Sequence, residues 1–307
     1  MSKPHLVVLG SINVDHVIYA ERFPQAGETL FGKKYQLAYG GKGANQAVAA
    51  ARLGANVDFI GCIGNDAIGH EMKTAFEKDN INTQHIFEIP QETTGVAMIQ
   101  VTDSGENSIV ISAGANAHLT TEKLASCKDT LSQAEMLLMQ LETPLETIIN
   151  ATQIAYQNGV KVVLNPAPAR TLPDELLQHL FMITPNETEA ELLTGIKVTD
   201  EQSAQQAAQV FHKKGIEYVL ITLGSKGVYC SHQNQGEIIK GFKVNAIDTT
   251  AAGDTFNGAL LTALLEQESM TEAITFAHAA AALSVTKKGA QSSIPSREDV
   301  MKFLQSQ

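Results

Sequence analysis

Short apolar runs rich in β-formers alternate with helical stretches along most of this 307-residue chain. That alternation points to a doubly wound α/β fold: an open, mostly parallel sheet with helices on both faces. Residues 6–9 (Leu-Val-Val-Leu) read as a first strand, and Ala44, Ala47, Val48 and Ala51 then recur at helical spacing up to Gly54. Residues 57–63 read as a strand and 66–79 as a helix. The runs 136–139, 160–164 and 218–223 are compact and apolar, as strands buried on both faces should be. Helical stretches at 145–157, 204–214 and 270–285 lie between and after them. The length suffices for one large domain with a sizeable core, and residues 1–307 are read as a single unit.

Two segments break the alternation. Residues 15–39 are rich in β-formers and glycine without helical period. In residues 95–112, two alternating runs flank Asp103-Ser-Gly-Glu106, a hairpin with a glycine-containing loop. Together they read as a small β-sheet projecting from the main body, placed to cover a cleft.

The net charge of −11 sets the sequence against nucleic acid and anionic membrane surfaces. An anionic ligand must then be held by local amides, lysines or metal. Cys62, Cys127 and Cys230 are far apart and include no CxxC pair, which disfavours a zinc site and suits a reducing compartment. The first ten residues hold only a four-residue apolar run, too short for a signal peptide, and no stretch reaches the length of a membrane span. A cytoplasmic protein is expected.

The chemistry concentrates in Asp248-Thr-Thr-Ala-Ala-Gly-Asp254. An acid closes a β-rich stretch at 241–247, small residues follow, and a second acid opens the apolar helical run 256–265. Amides at a helix start attract anions, and a carboxylate beside them can take a proton from a hydroxyl. Anion cradle plus base is what phosphoryl transfer to an alcohol needs. The plain alternative for Asp254 is an N-cap, which would leave Asp248 and the small-residue run unexplained.

Other polar loops follow predicted strands. Gly10-Ser-Ile-Asn-Val-Asp15 offers Asn13 and Asp15 to sugar hydroxyls, or forms an ordinary Asx-type turn. Gly40-Gly-Lys-Gly-Ala-Asn45 precedes a helix; it has neither Walker A nor GxGxxG spacing, and it puts Lys42 and Asn45 at the cleft. Glu142 ends another apolar run. Asn186 and Glu189 have capping-box spacing, and the same pair suits phosphate and hydrated Mg2+. Thr222-Leu-Gly-Ser-Lys-Gly227 is either a hairpin turn or a floor for a nucleotide.

Two stretches, Gly40-Gly-Lys-Gly-Ala-Asn-Gln-Ala-Val-Ala49 and Asp248-Thr-Thr-Ala-Ala-Gly-Asp-Thr-Phe-Asn-Gly258, give the chain its resemblance to the ribokinase-like carbohydrate kinases. The likeness runs nearly end to end, through Asn165-Pro-Ala-Pro-Ala169 and Thr184-Pro-Asn-Glu187. It implies ATP-dependent phosphorylation of D-ribose at the 5-hydroxyl, with fructose or 2-deoxyribose as alternatives. It further implies that Asn13, Asp15, Gly41, Lys42, Gly43, Asn45 and Glu142 hold the sugar, and that Asp254 is the base. The amides of Ala251, Ala252 and Gly253 would form the anion hole. Asn186, Thr222, Gly224, Ser225, Gly227 and His278 would line the nucleotide, with Asn186 and Glu189 organising Mg2+ and phosphate. Asp248, Thr250, Ser284, Lys287, Gly289 and Ser293 would surround K+, several through carbonyls, since the Lys287 ammonium cannot ligate a cation. A homodimer through the β lids is also implied. The family pattern has glycine where Ala251 stands, so the loop is expected to adopt backbone angles an alanine accepts. A sugar sensor without catalysis is disfavoured by Asp254, and a dinucleotide-dependent oxidoreductase by the missing GxGxxG.

Overall fold

The computed structural model describes residues 5–307; residues 1–4, part of the stretch read as lacking a signal peptide, lie outside it. The strands are β1 (His5–Leu9), β2 (Asn13–Ala20), β3 (Lys34–Gly40), β4 (Asn56–Gly64), β5 (Ile81–Ile89), β6 (Gly95–Thr102), β7 (Asn107–Ser112), β8 (Met136–Met139), β9 (Lys161–Leu164), β10 (Met182–Ile183), β11 (Tyr218–Thr222), β12 (Val228–His232) and β13 (Gln235–Ile239). The main sheet runs β13-β12-β11-β10-β9-β8-β1-β4-β5, parallel from β11 to β5, with β12 and β13 added antiparallel at one edge.

Alternate residues of β1 feed opposite cores, as the two-residue period of a strand demands. Leu6 and Val8 pack with the helices Lys42–Arg52, Ala252–Leu265 and Met270–Ser284. Val7 and Leu9 pack on the other face with the helices Leu145–Gln157 and Glu201–Lys213. All four β1 side chains are fully buried, each contributing roughly 1.5–3 kcal/mol of hydrophobic stabilisation. The doubly wound expectation is met.

The chain leaves β1 toward β4 on one side and returns to β8 on the other, so the strand order switches between β1 and β8. Ligand crevices in such sheets open at that point, beyond the carboxyl ends of the strands. The loops after β1, β8, β9, β10 and β11 all emerge at that end.

The predicted lid is a separate sheet, β3-β2-β6-β7. Asn13 pairs with Gly40 on one side and Gly95 on the other, so both segments of this sheet are joined to the loop that follows β1. Tyr35, Met98, Ile109, Val110 and Ile111 leave apolar surface exposed on this sheet. No described helix is long and apolar enough to cross a membrane.

Several elements differ from the sequence reading, among them β13 (Gln235–Ile239) and short helices at Thr121–Ala125, Lys128–Gln133 and Asp174–Leu177. Residues 241–247 form no strand: β13 ends at Ile239, and this segment is tied instead by the Ile247 amide to the Val285 carbonyl at 2.7 Å. β5 was not anticipated, because this edge strand buries only part of its residues and carries polar ones between them. The closing helix Arg297–Gln305 also went unread; it starts with a Ser296–Asp299 capping box and buries only Val300 completely.

Candidate active site

The helix Ala252–Leu265 begins earlier than its apolar run suggested, and its N-cap, Ala251, has φ 59° and ψ 14°. The expectation that an alanine would avoid left-handed angles is overturned. The turn must send the chain from the 247–250 segment into a helix whose start faces the cleft, and that geometry costs a non-glycine residue about 1–2 kcal/mol. Asp248 braces the turn: its Oδ1 accepts from the Thr250 amide at 3.0 Å and the Thr250 hydroxyl at 2.6 Å, and its Oδ2 accepts from the Gly289 amide at 2.9 Å. Burial alone would raise the Asp248 carboxyl, yet these bonds and Lys288 hold it below its ordinary value.

No side chain caps this helix. The Ala252 amide is spent on the Thr249 carbonyl at 3.2 Å, so it is less free than the sequence suggested. Gly253 is exposed, and nothing lies within 4 Å of where its Cβ would be, leaving its backbone open to the cleft.

Asp254 is the third helical residue and does not act as a cap. Its buried carboxylate accepts from Asn45 Nδ2 on Oδ2 and from Gln46 Nε2 on Oδ1, both at 2.9 Å. Burial pushes its pKa up. Lys42 and the two amides oppose that shift, and Glu142 adds to it.

On the opposite wall, Asp15 is raised from its ordinary 3.8 to about 7, first by burial and then by the charges of Glu142 and Asp254. Its carboxylate packs on Gly40, where a Cβ would come within 2.8 Å of it. Gly41 has φ 90° and abuts the Asn13 amide, so two separate constraints demand glycine there. Gly43 stacks on the Gly10 backbone. Glu142 Oε2 accepts from the Ser11 hydroxyl at 2.5 Å and the Lys42 amide at 3.1 Å, joining three loops. Asn13 Oδ1 accepts from Asn116 Nδ2 at 2.8 Å, and Asn116 also brackets the Ile12 backbone. Asn45 Oδ1 is buried with no hydrogen-bond partner among the described residues, an acceptor that a sugar hydroxyl would satisfy.

Beside Asp254 lies a cavity of about 230 Å³ lined by Lys42, Asn186, Glu189, Thr222, Gly253 and further backbone of the 249–254 turn. Asn186 and Glu189 form the anticipated capping box, each side chain 2.8 Å from the other's amide. Both face the cavity as well, so the capping and ligand readings coexist. Burial raises the Glu189 carboxyl, against its bond from the Asn186 amide and the charge of Lys42. Thr222 joins this wall through its amide on the Pro185 carbonyl at 2.9 Å. The turn that follows is a single 3-10 turn at Gly224–Lys226 with Gly224 at φ 57° and Gly227 at φ 119°. It lies beyond the cavity, and Ser225 on it is exposed. His278 sits near Gly241, its ring tilted against Phe256 at 5.4 Å between centroids, with Nε2 buried and without a hydrogen-bond partner among the described residues. Burial lowers its pKa.

The predicted cation residues converge only in part through side chains. Asp248 and Gly289 are bonded, while Ser284 and Ser293 are fully buried with hydroxyls donating to the carbonyls of Ala281 and Ala290. No group of three His, Cys, Asp or Glu side chains among the described residues is arranged to hold a metal.

Ser11, Gln46, Asn116, Gln140, Asn165, Thr184 and Asn257 belong to the site and were given no role from sequence. Gln46 lies in a helix that buries every residue from Gly43 to Ala50, and its local sequence gives no sign of its distant partners.

Residues 3–297 match the model of the pfkB family carbohydrate kinases. The chain is 63% identical over 300 residues to the ribokinase of Haemophilus influenzae, covering 98% of each. It is 48% identical over 297 residues to the ribokinase of Staphylococcus aureus, covering 96% of this chain and 98% of the relative. Its fold superposes on the ribokinase of Arabidopsis thaliana complexed with ribose and ATP at a TM-score of 0.91 and 36% identity, covering 98% of this chain and 99% of the other.

Proposed function

The chain belongs to the pfkB family of carbohydrate kinases, and we propose that its reaction, the ATP-dependent phosphorylation of D-ribose, occurs at O5 with Asp254 as general base. One observation carries the mechanism: a buried carboxylate, held by Asn45 and Gln46, stands between an uncapped helix start and a wall of polar side chains, and burial raises its pKa. Asn13, Asp15, Lys42 and Asn45 bind hydroxyls of the sugar, and Glu142 fixes the loops that present them. Asp254 takes the O5 proton as the hydroxyl attacks the γ-phosphate. The Gly253 amide receives charge as it builds on the transferred group, which is why that helix start has no side-chain cap.

Asn186, Thr222 and the turn to Gly227 lie on the nucleotide side, with His278 behind them. The donor set fits Mg2+: Glu189 is the carboxylate of the phosphate-side wall, and Mg2+ commonly holds a protein through one or two carboxylates. When bound, Mg2+ neutralises charge on the phosphates. Asp248 and the 284–293 loop suit K+, since the Gly289 amide ties that loop to the carboxylate that braces the anion-binding turn, and that carboxylate supplies an anionic oxygen. The exposed apolar residues of the lid fit a homodimer formed sheet to sheet, and the cytoplasm is the compartment that sparse, unpaired thiols suit.

The test is ADP release with ATP and a panel of pentoses and hexoses, with and without K+, and NMR location of the phosphoryl group. Ribose is expected to lead with the product phosphorylated at O5. Phosphorylation at another oxygen would overturn the placement of Asp254.

A further inference from the structure

A carboxylate as buried as Asp254 needs donors to stay ionised, and one of them belongs to neither the sugar wall nor the phosphate wall. Gln46 is completely buried, and its amide is saturated. Nε2 donates to Asp254 Oδ1 at 2.9 Å and to Asn165 Oδ1 at 3.0 Å, while Oε1 accepts from Gln140 Nε2 at 2.6 Å. A flipped amide would face two acceptors with an oxygen and one donor with a nitrogen, so its orientation is determined by its partners. Asn165 is held in turn by donating to the Thr184 carbonyl at 3.1 Å. The Thr184 hydroxyl donates to Asn257 Oδ1 at 2.7 Å, and Asn257 Nδ2 donates to the Gly253 carbonyl at 2.8 Å. One run of buried polar groups thus reaches from the base to the peptide unit between Gly253 and Asp254.

We propose that Gln46 is a positioning residue for the general base: it occupies Asp254 Oδ1 and leaves Oδ2, the oxygen shared with Asn45, to accept the proton of the sugar hydroxyl. The assignment rests on Asp254 being that base. Two features support it. Gln46 approaches from the fully buried side, and the Asn45 amide on Oδ2 has an unpartnered oxygen of its own, so the sugar belongs on the Oδ2 side. Gln46 also favours the charged form of Asp254, pulling its pKa down against burial. A network that merely filled space with satisfied polar groups would share the hydrogen bonds but not the effect on proton uptake.

The experiment compares Gln46→Leu, Gln46→Glu and Asp254→Asn in the full chain, measuring kcat, KM for ribose, the pH profile of kcat and thermal melting. Gln46→Leu is expected to lower kcat about 10–100-fold, the worth of a hydrogen bond to a charged group. KM for ribose stays within about threefold, and the acid limb of the profile moves to higher pH, because losing a donor to the carboxylate favours its protonated form. Gln46→Glu keeps the shape and the acceptor for Gln140 while setting a second carboxyl against Asp254. Its acid limb is expected to move further, with activity recovering as pH rises. If Gln46→Leu does not fold, Gln46→Glu decides the matter on that recovery. A folded variant with the parent's kcat and acid limb overturns the inference. So does a loss confined to KM, or a loss of kcat with the limb unmoved. If Asp254→Asn keeps full activity, the base reading itself fails. If Asp254→Asn is inactive while both Gln46 variants match the parent, only the role of Gln46 fails.

Discussion

Two of the helices that open onto the cleft, Lys42–Arg52 and Ala252–Leu265, start in opposite ways. Both lack a side-chain cap of their own and both enter through a positive-φ residue, Gly41 at 90° and Ala251 at 59°. In the helix Lys42–Arg52 the first amides are taken by distant loops: Lys42 donates to Glu142, Gly43 to the Ser11 hydroxyl at 3.4 Å, and Ala44 to the Ser11 carbonyl at 2.9 Å. In the helix Ala252–Leu265 only Ala252 is engaged, weakly, and Gly253 opens on empty space. Helices away from the cleft behave differently again: Asp200, Ser269 and Ser296 each close an N-terminus with a capping box. The lesson is that donors at a helix start are used locally for stability, used across the chain to fix a binding loop, or kept for a ligand's charge. On the proposed reading, the sugar half of the site takes the second course and the phosphoryl half the third.

Several substitutions test that division. Asp254→Asn removes the proposed base while leaving the open helix start, and is expected to cut kcat by about 10²–10⁴ with ribose binding retained, as steady-state kinetics and calorimetry would show. Gly41→Ala attacks the cross-chain helix start. A Cβ there lands 2.7 Å from the Asn13 amide at a left-handed φ, so stability is expected to fall by about 1–3 kcal/mol and KM for ribose to rise. An unchanged KM would detach this turn from sugar binding.

Asp15 gives the sugar half a pH signature. Its folded pKa of about 7 lies above its ordinary 3.8, so the folded free protein holds that proton more tightly than the unfolded chain. Its contribution to stability is full below about pH 4 and lost as pH rises through 7. Asp15→Asn is therefore expected to flatten the decline of melting temperature across that window, and an unaltered slope would refute it. Ser296→Ala removes a purely local cap, and denaturant melts should register a loss of about 1 kcal/mol with kcat and KM unaltered. The smallest effect is expected from Ala251→Gly. It relieves left-handed strain and stabilises by up to about 1 kcal/mol, less the added freedom of the unfolded chain, with kcat within about twofold of the parent.

The architecture was legible because the apolar runs 136–139, 160–164 and 218–223 are buried on both faces and carry their strand signal without help from neighbours. Elements at the margins were harder to read. β5 and the closing helix bury few residues completely, so their periodicity is diluted by polar positions. Residues 241–247 have β-forming composition but no strand partner, and a strand needs a neighbour to exist. In the site, Asp254 announced itself through the small-residue run before it. Gln46 did not, although it lies within a quoted motif, because its partners Asp254 and Asn165 stand 208 and 119 residues away.

The sequence by itself determined the doubly wound sheet, the small second sheet and the acid that follows a stretch of small residues. Those signals are local, arising from side-chain period, backbone propensity and turn chemistry. Tertiary structure decided that Ala251 is left-handed, that Glu142 and Ser11 cap a helix far from them in the chain, and that Gln46 takes one particular oxygen of Asp254. Each depends on polar groups being removed from water together, and a buried donor or acceptor must find its partner wherever the fold has brought one.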